Sequence, residues 1–150
     1  MILRSALFRN NGDFPKRFTC DGANVNPPLV IEDVPGEAKS LVLIVDDPDA
    51  TRGGTFTHWV VWNILPQTYE IPEGEVPRGA KQGRNDFGAE EYGGPCPPRG
   101  ARPHRYVFKL YALDTELDLP ASSEKGKVER KMEGHILEQK TLTALYVRAV

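Results

Sequence analysis

Serine is scarce in this chain of 150 residues, standing only at Ser5, Ser40, Ser122 and Ser123, and no Gly-x-Ser-x-Gly elbow surrounds any of them. A Ser-His-Asp hydrolase needs such a nucleophile within reach of a base, so that chemistry has no evident carrier. Cysteine is scarcer still: Cys20 and Cys96 stand alone, with no Cys-x-x-Cys pairing and no companion ligands at zinc spacing. The expectation is two free, semi-buried thiols in a reducing compartment, with a disulfide between them as the alternative. No window approaches the ~18 apolar residues of a membrane span. Met1 to Asn10 lacks the charged-then-apolar layout of a secretory signal. The location expected is cytoplasmic, without stable membrane insertion and without a basic amphipathic helix to bind a bilayer surface. A net charge of −2 leaves no electrostatic footprint for nucleic acid.

What is present describes an ordinary globular chain. Apolar residues make up 39% and charged residues 27%, and the length suits one domain over 1–150 with a core that needs no staples. Glycine and proline are frequent and scattered, which favours many short connections. Strands are expected over Ile2–Leu7, Leu29–Ile31, Ser40–Asp46, Thr57–Ile64, Arg105–Leu113 and Leu142–Arg148, several of them rich in β-branched and aromatic residues. The continuous apolar run Leu41 to Val45 predicts a central strand covered on both faces. One helix is expected, capped by Ser122-Ser123-Glu124 and carrying Val128, Met132, Ile136 and Leu137 at helical spacing through Lys140, with Gly134 as a possible break. The stretch from Pro66 to Pro103 has little apolar periodicity; its prolines, with Phe87 and Tyr92, mark it as an ordered, functional loop.

Two of the three histidines open strands behind stiff turns. His58 precedes Trp59 to Ile64, and His104 precedes Arg105 to Tyr111. Period-two alternation puts His104 on the same face as Tyr106. Near the first histidine lies Asp46-Asp47-Pro48-Asp49, where Pro48 holds Asp47 extended and Asp49 can bond turn amides. Each feature alone fits an ordinary turn or strand edge. Together they describe a donor-rich pocket in which an aspartate raises a histidine's pKa by opposite charge, suited to phosphate or carboxylate. Gly93, Gly94 and Gly100 would let backbone N–H groups approach such a ligand. A two-histidine, one-carboxylate metal site from His58, His104 and Asp47 lacks the close His spacing that would support it, and no cofactor is indicated. Cys96 lies in the Pro-rich loop but reads as structural, and His135 reads as a solvated or capping residue on the helix.

These motifs resemble the phosphatidylethanolamine-binding protein family, and more closely its prokaryotic Raf-kinase-inhibitor-like branch. The resemblance rests on Asp47-Pro48-Asp49-Ala50, Thr57 to Ile64, Tyr92 to Pro98 and His104 to Phe108. It is extended by Thr19-Cys20-Asp21-Gly22, Asn26-Pro27-Pro28-Leu29 and Met132-Glu133-Gly134-His135. It implies a mainly antiparallel β-sandwich with a few short helices and a small anion pocket at one end. Carried over residue by residue, that pocket would use Asp47, His58, His104 and Tyr106, with Asp49, Pro97 and Pro98 shaping its wall. It would take phosphate-type groups such as phosphoethanolamine, in a non-enzymatic binding or regulatory protein. Family members have also been linked to inhibition of kinases and serine proteases; here that alternative would act through the surface stretch Lys81 to Tyr92. Two departures stand out. Thr51 follows Ala50 where eukaryotic members commonly continue with proline, and the sequence stops at Val150 without the C-terminal helix that borders the pocket in animal members. The pocket is therefore expected to be more open. Monomer and homodimer are both compatible with the sequence.

Overall fold

The run Leu41 to Val45 lies where a continuous apolar strand is most stable, at the centre of a sheet covered on both sides. In the computed structural model, which describes residues 1–50 and 53–149, β4 (Ser40–Asp47) is buried at every position. Three short strands precede it: β1 (Ile2–Arg4), β2 (Gly12–Asp13) and β3 (Leu29–Glu32). After it come β5 (Phe56–Ile64), β6 (Glu70–Ile71), β7 (Lys81–Gln82), β8 (His104–Leu113), helix α1 (Lys125–Met132) and β9 (Ile136–Tyr146). One sheet has the order β1-β3-β6 and the other β2-β9-β8-β4-β5-β7. Every pairing is antiparallel except β2 with β9.

Alternation along the central strands divides the interior into two cores. Leu41, Leu43, Val45, Trp59, Val61, Phe108 and Leu110 face the small sheet and pack with Leu3, Leu29 and Ile31. Val42, Ile44, Val60, Trp62 and Tyr111 face the other way and are covered by Val128 and Met132 of α1 and by Leu117 and Leu119. Buried Asp46 points to this second side, where its carboxylate accepts from Thr57 Oγ1 (2.9 Å), Lys109 Nζ (2.9 Å) and Lys125 Nζ (3.1 Å). It thereby fastens the start of α1 to the sheet. The mainly antiparallel β-sandwich is thus the architecture of the chain.

Three expectations need correction. The helix stops at Met132, and Ile136 and Leu137 begin β9 instead. Gly134 adopts φ +80°, a left-handed conformation that ends a helix cheaply, and His135 N–H closes the turn onto Met132 O at 2.9 Å. The helical spacing of Ile136 and Leu137 was a coincidence: both are exposed, and their order comes from pairing with β8, which spacing does not encode. Second, no side chain caps α1; Ser123 Oγ donates to Pro120 O at 2.7 Å. Third, Cys20 and Cys96 are not free thiols but form a disulfide, with their Cα atoms 5.4 Å apart. Their separation of 76 residues hides the proximity, which the fold creates by laying the Pro-rich loop over the turn at Lys16–Phe18.

Candidate functional site

Three strand ends meet at one end of the large sheet. β4 delivers Asp47, β8 begins at His104, and β5 brings His58, which is its third residue and not its first. The register of β5 against β4 jumps from Trp59↔Val45 to Thr57↔Asp46, leaving His58 as the extra residue of a β-bulge. A bulge breaks alternation and re-aims a side chain. Adjacent His58 and Trp59 therefore turn to the same core side, and the His58 ring lies 5.3 Å from that of Tyr106. The parity expected for His104 and Tyr106 holds as well, their rings stacking at 6.3 Å with 20° between planes.

These groups line a cavity of about 330 Å³ together with Pro97, Pro98, Phe56, Phe87, Ala50, Gly53, Thr55 and Cys96. His104 Nδ1–H donates to Asp47 Oδ2 at 2.7 Å, and Asp47 Oδ1 accepts the Asp49 amide at 2.7 Å. The pair is almost fully enclosed, with side-chain exposures of 5% and 6%. His58 Nδ1–H donates to the carbonyl of Gly93 at 2.7 Å, which fixes its tautomer. The remaining polar atoms, His58 Nε2, His104 Nε2 and Tyr106 Oη, have no partner among the described residues. Burial pushes the Tyr106 phenol well above its ordinary pKa, and the nearby Asp47 charge adds to the shift, so it stays a hydroxyl donor.

His58 departs from expectation. Its pKa is lowered, because burial outweighs the Gly93 hydrogen bond and the Asp47 charge. With Nδ1–H committed to Gly93, its free Nε2 is an acceptor at neutral pH. Asp49 does not line this cavity. It sits in an adjoining depression, where Arg105 holds it by Nε and Nη2 at 2.9 Å each and by its backbone N–H, keeping the carboxyl at about 2. Thr51 lies outside the described residues.

The loop glycines also act differently from expectation. Gly93 N–H donates to His58 O (3.0 Å), Gly94 N–H to Asn24 Oδ1 (2.8 Å) and Gly100 N–H to Arg148 O (3.1 Å), so none is free for a ligand. They permit close packing of the loop. The segment Lys81 to Tyr92 is braced from within: Asn85 accepts from the amides of Phe87 and Ala89 and donates to Glu91 O. His135 lies after α1, exposed, and pairs with Asp114 at 2.7 Å. Among the described residues no cluster of three or more His, Cys, Asp or Glu is placed to hold a metal. No helix there is long and apolar enough to cross a membrane.

Phe56 and Phe87 line the cavity in addition to the residues expected from the sequence. Their rings meet at 4.7 Å and each approaches His58, making an aromatic wall. Phe56, two residues before His58, was within reach of a period-two argument; Phe87 carried no positional signal.

Comparison with known proteins gives the same architecture a lineage. A UPF0098 protein of Pyrococcus horikoshii is 51% identical over 151 residues, spanning 96% of this chain and 75% of its own. The crystal structure of a phosphatidylethanolamine-binding protein homologue from Chlamydia trachomatis superposes with a TM-score of 0.92 at 39% identity, covering 97% of this chain and 96% of the other. Escherichia coli YbcL, described as a new member of the mammalian family, superposes at 0.90 with 32% identity, covering 97% and 96%. The model of the phosphatidylethanolamine-binding protein family matches residues 4–147, nearly the full span described above. By fold, by sequence and by the extent of both, this chain belongs to the phosphatidylethanolamine-binding protein family.

Proposed function

We propose that the cavity binds a small phosphate- or carboxylate-bearing ligand and that the protein works as a non-enzymatic binding or regulatory protein. The observation that carries this reading is the set of three unpartnered polar atoms, two imidazole Nε2 and one phenol oxygen, around one cavity. Tyr106 donates as it stands, and His58 becomes a donor by taking up a proton. The Phe56 and Phe87 rings suit the ammonium of a group such as phosphoethanolamine, since aromatic faces attract cations. No hydroxyl or thiol nucleophile is paired with either histidine among the described residues, and the one thiol-bearing residue of the wall, Cys96, is spent in the disulfide.

The lowered pKa of His58 sets a sign for the pH dependence. A bound anion stabilises the imidazolium, so binding takes up a proton at pH values above the lowered pKa of the free protein. Sulfate affinity should therefore rise as pH falls from about 8 to about 5.5, by up to about tenfold per pH unit for one proton. Sulfate is the right probe because, unlike phosphate, it does not itself titrate there. Calorimetry with sulfate, phosphate and phosphoethanolamine checks both the binding and its slope; no heat with any of them would remove the reading. Without ligand, the sign for stability is opposite. The unfolded state gains the His58 proton first, so this residue's contribution falls as pH drops through its ordinary value toward the lowered one.

A second reading, inhibition of a serine protease or kinase, is favoured by Phe87, 54% exposed on the braced Lys81–Tyr92 segment. Inhibition that persists in a His58→Ala, His104→Ala variant would support it. Its absence across a panel of such enzymes would end it.

A further inference from the structure

Cys96 faces two ways. Its partner Cys20 is half-buried, but Cys96 itself is exposed and forms part of the cavity wall. The guanidinium of Arg148 lies against its sulfur, Nη1 to Sγ 3.6 Å, while Nη2 pairs with Asp21 at 3.0 Å. Arg148 Nε is enclosed and has no partner among the described residues.

The ties on either side of Cys96 differ sharply. Before it, the loop is held to the body by Tyr92 Oη–H to Phe18 O, Gly93 N–H to His58 O, Gly94 N–H to Asn24 and Cys20 N–H to Pro95 O. After it, and up to His104, Ala101 N–H closes a local turn onto Pro98 O, and the bonds that leave the stretch among the described residues run to the far end of the chain: Gly100 N–H to Arg148 O and Arg99 to Ala149 O. The disulfide links the start of this second stretch, which carries the Pro97-Pro98 wall, to Cys20 beside the Lys16–Phe18 turn.

We propose that the Cys20–Cys96 disulfide is a thiol-exchange site for small thiols and that its reduction loosens the cavity wall. The gating half rests on the anion-binding reading above; the exchange half does not. A thiolate attacks Sγ of the exposed Cys96, forming a Cys96–S–S–R bond and breaking the Cys20–Cys96 bond, and the electron pair leaves on Cys20 Sγ, which takes a proton from water. A second thiolate then attacks the R sulfur and forms R–S–S–R. Cys96 departs as a thiolate beside Arg148, whose positive charge favours that leaving form. Two electrons pass from two thiols to the disulfide. A carboxylate-bearing thiol of the glutathione type matches both the cationic Arg148 and the adjoining cavity.

The native, oxidised protein is treated with excess reduced glutathione at neutral pH, quenched with an alkylating agent and mapped by peptide mass. The expected product at early quench times is glutathione on Cys96 with Cys20 alkylated, giving way later to both cysteines alkylated. A disulfide that resists glutathione until the protein is unfolded, or an adduct confined to Cys20, would overturn the exchange site. Phosphate titration of the oxidised and fully reduced forms then tests gating, with affinity expected to fall at least several-fold on reduction; equal affinities would overturn it. If neither form binds phosphate, the anion-binding reading and the gating fall together, while the exchange site is still decided by the mass map. A Cys20→Ser, Cys96→Ser variant should bind like the reduced form. Should it fail to fold, the reduced wild type supplies the same comparison.

Discussion

Asp47→Ala should cost about 2–4 kcal/mol of stability and weaken anion binding by more than tenfold, because it removes two buried acceptors at once. Asp47 is buried, and its carboxylate accepts both the His104 Nδ1–H and the Asp49 amide. Without it, a buried imidazole N–H and a turn amide have nowhere to go. The His104 ring then loses the contact that aims Nε2 into the cavity. Asp47→Asn separates orientation from charge, since its single remaining oxygen can satisfy one of the two donors. It should lose roughly half as much stability as the alanine variant, within the spread of such measurements. Urea denaturation reads the stability and calorimetry reads the binding. An alanine variant as stable as the parent, with unchanged phosphate affinity, would show that Asp47 neither holds the turn nor sets the cavity.

Gly94→Ala should destabilise by about 1–3 kcal/mol, although it adds one methyl group. A Cβ at this position would lie 2.3 Å from Phe18 O and 2.5 Å from Asn24 Oδ1. Neither neighbour yields easily. Phe18 O also accepts the Tyr92 hydroxyl at 2.7 Å, and Asn24 holds the Gly94 amide at 2.8 Å. The strain would reach the cavity, because Gly93 O holds His58 and Cys96 stands two residues further on. Lower phosphate affinity should therefore accompany the lower denaturation midpoint. Gly36, with open space where its Cβ would be, is the control: alanine there should leave both measurements almost unchanged. Equal behaviour of the two variants would mean that close packing is not why Gly94 is glycine.

How far the sequence reveals this molecule depends on whether the signal is local. The central strand over Ser40–Asp47 and the strand from His104 are legible because burial and alternation are written in consecutive side chains. So is the shared face of His104 and Tyr106. The position of His58 is not, since its orientation depends on a bulge and alternation alone would turn it from the side that Trp59 occupies. The first half of the strand Ile136–Tyr146 is also hidden, although its second half is legible from Leu142 onward. That first half is almost wholly exposed, so no buried face marks it, and only pairing with β8 makes it a strand. The disulfide and the Asp47–His104 bond join residues far apart in the chain, and only the family resemblance brought Asp47 and His104 together beforehand. The loop glycines were legible as special positions but not in their role, because crowding by neighbouring backbone and ligand approach impose the same demand for a missing side chain.

Nitrogen-15 NMR of the three imidazoles during phosphate titration near pH 6 tests the central claim most directly. His58 and His104 share the cavity, while exposed His135, paired with Asp114, supplies an internal reference. The Nε2 resonances of His58 and His104 should move together along one saturable curve, with His58 shifting toward the imidazolium and His135 staying still. Unmoved cavity histidines, or a shift at His135 equal to theirs, would contradict an anion site built on His58, His104 and Tyr106.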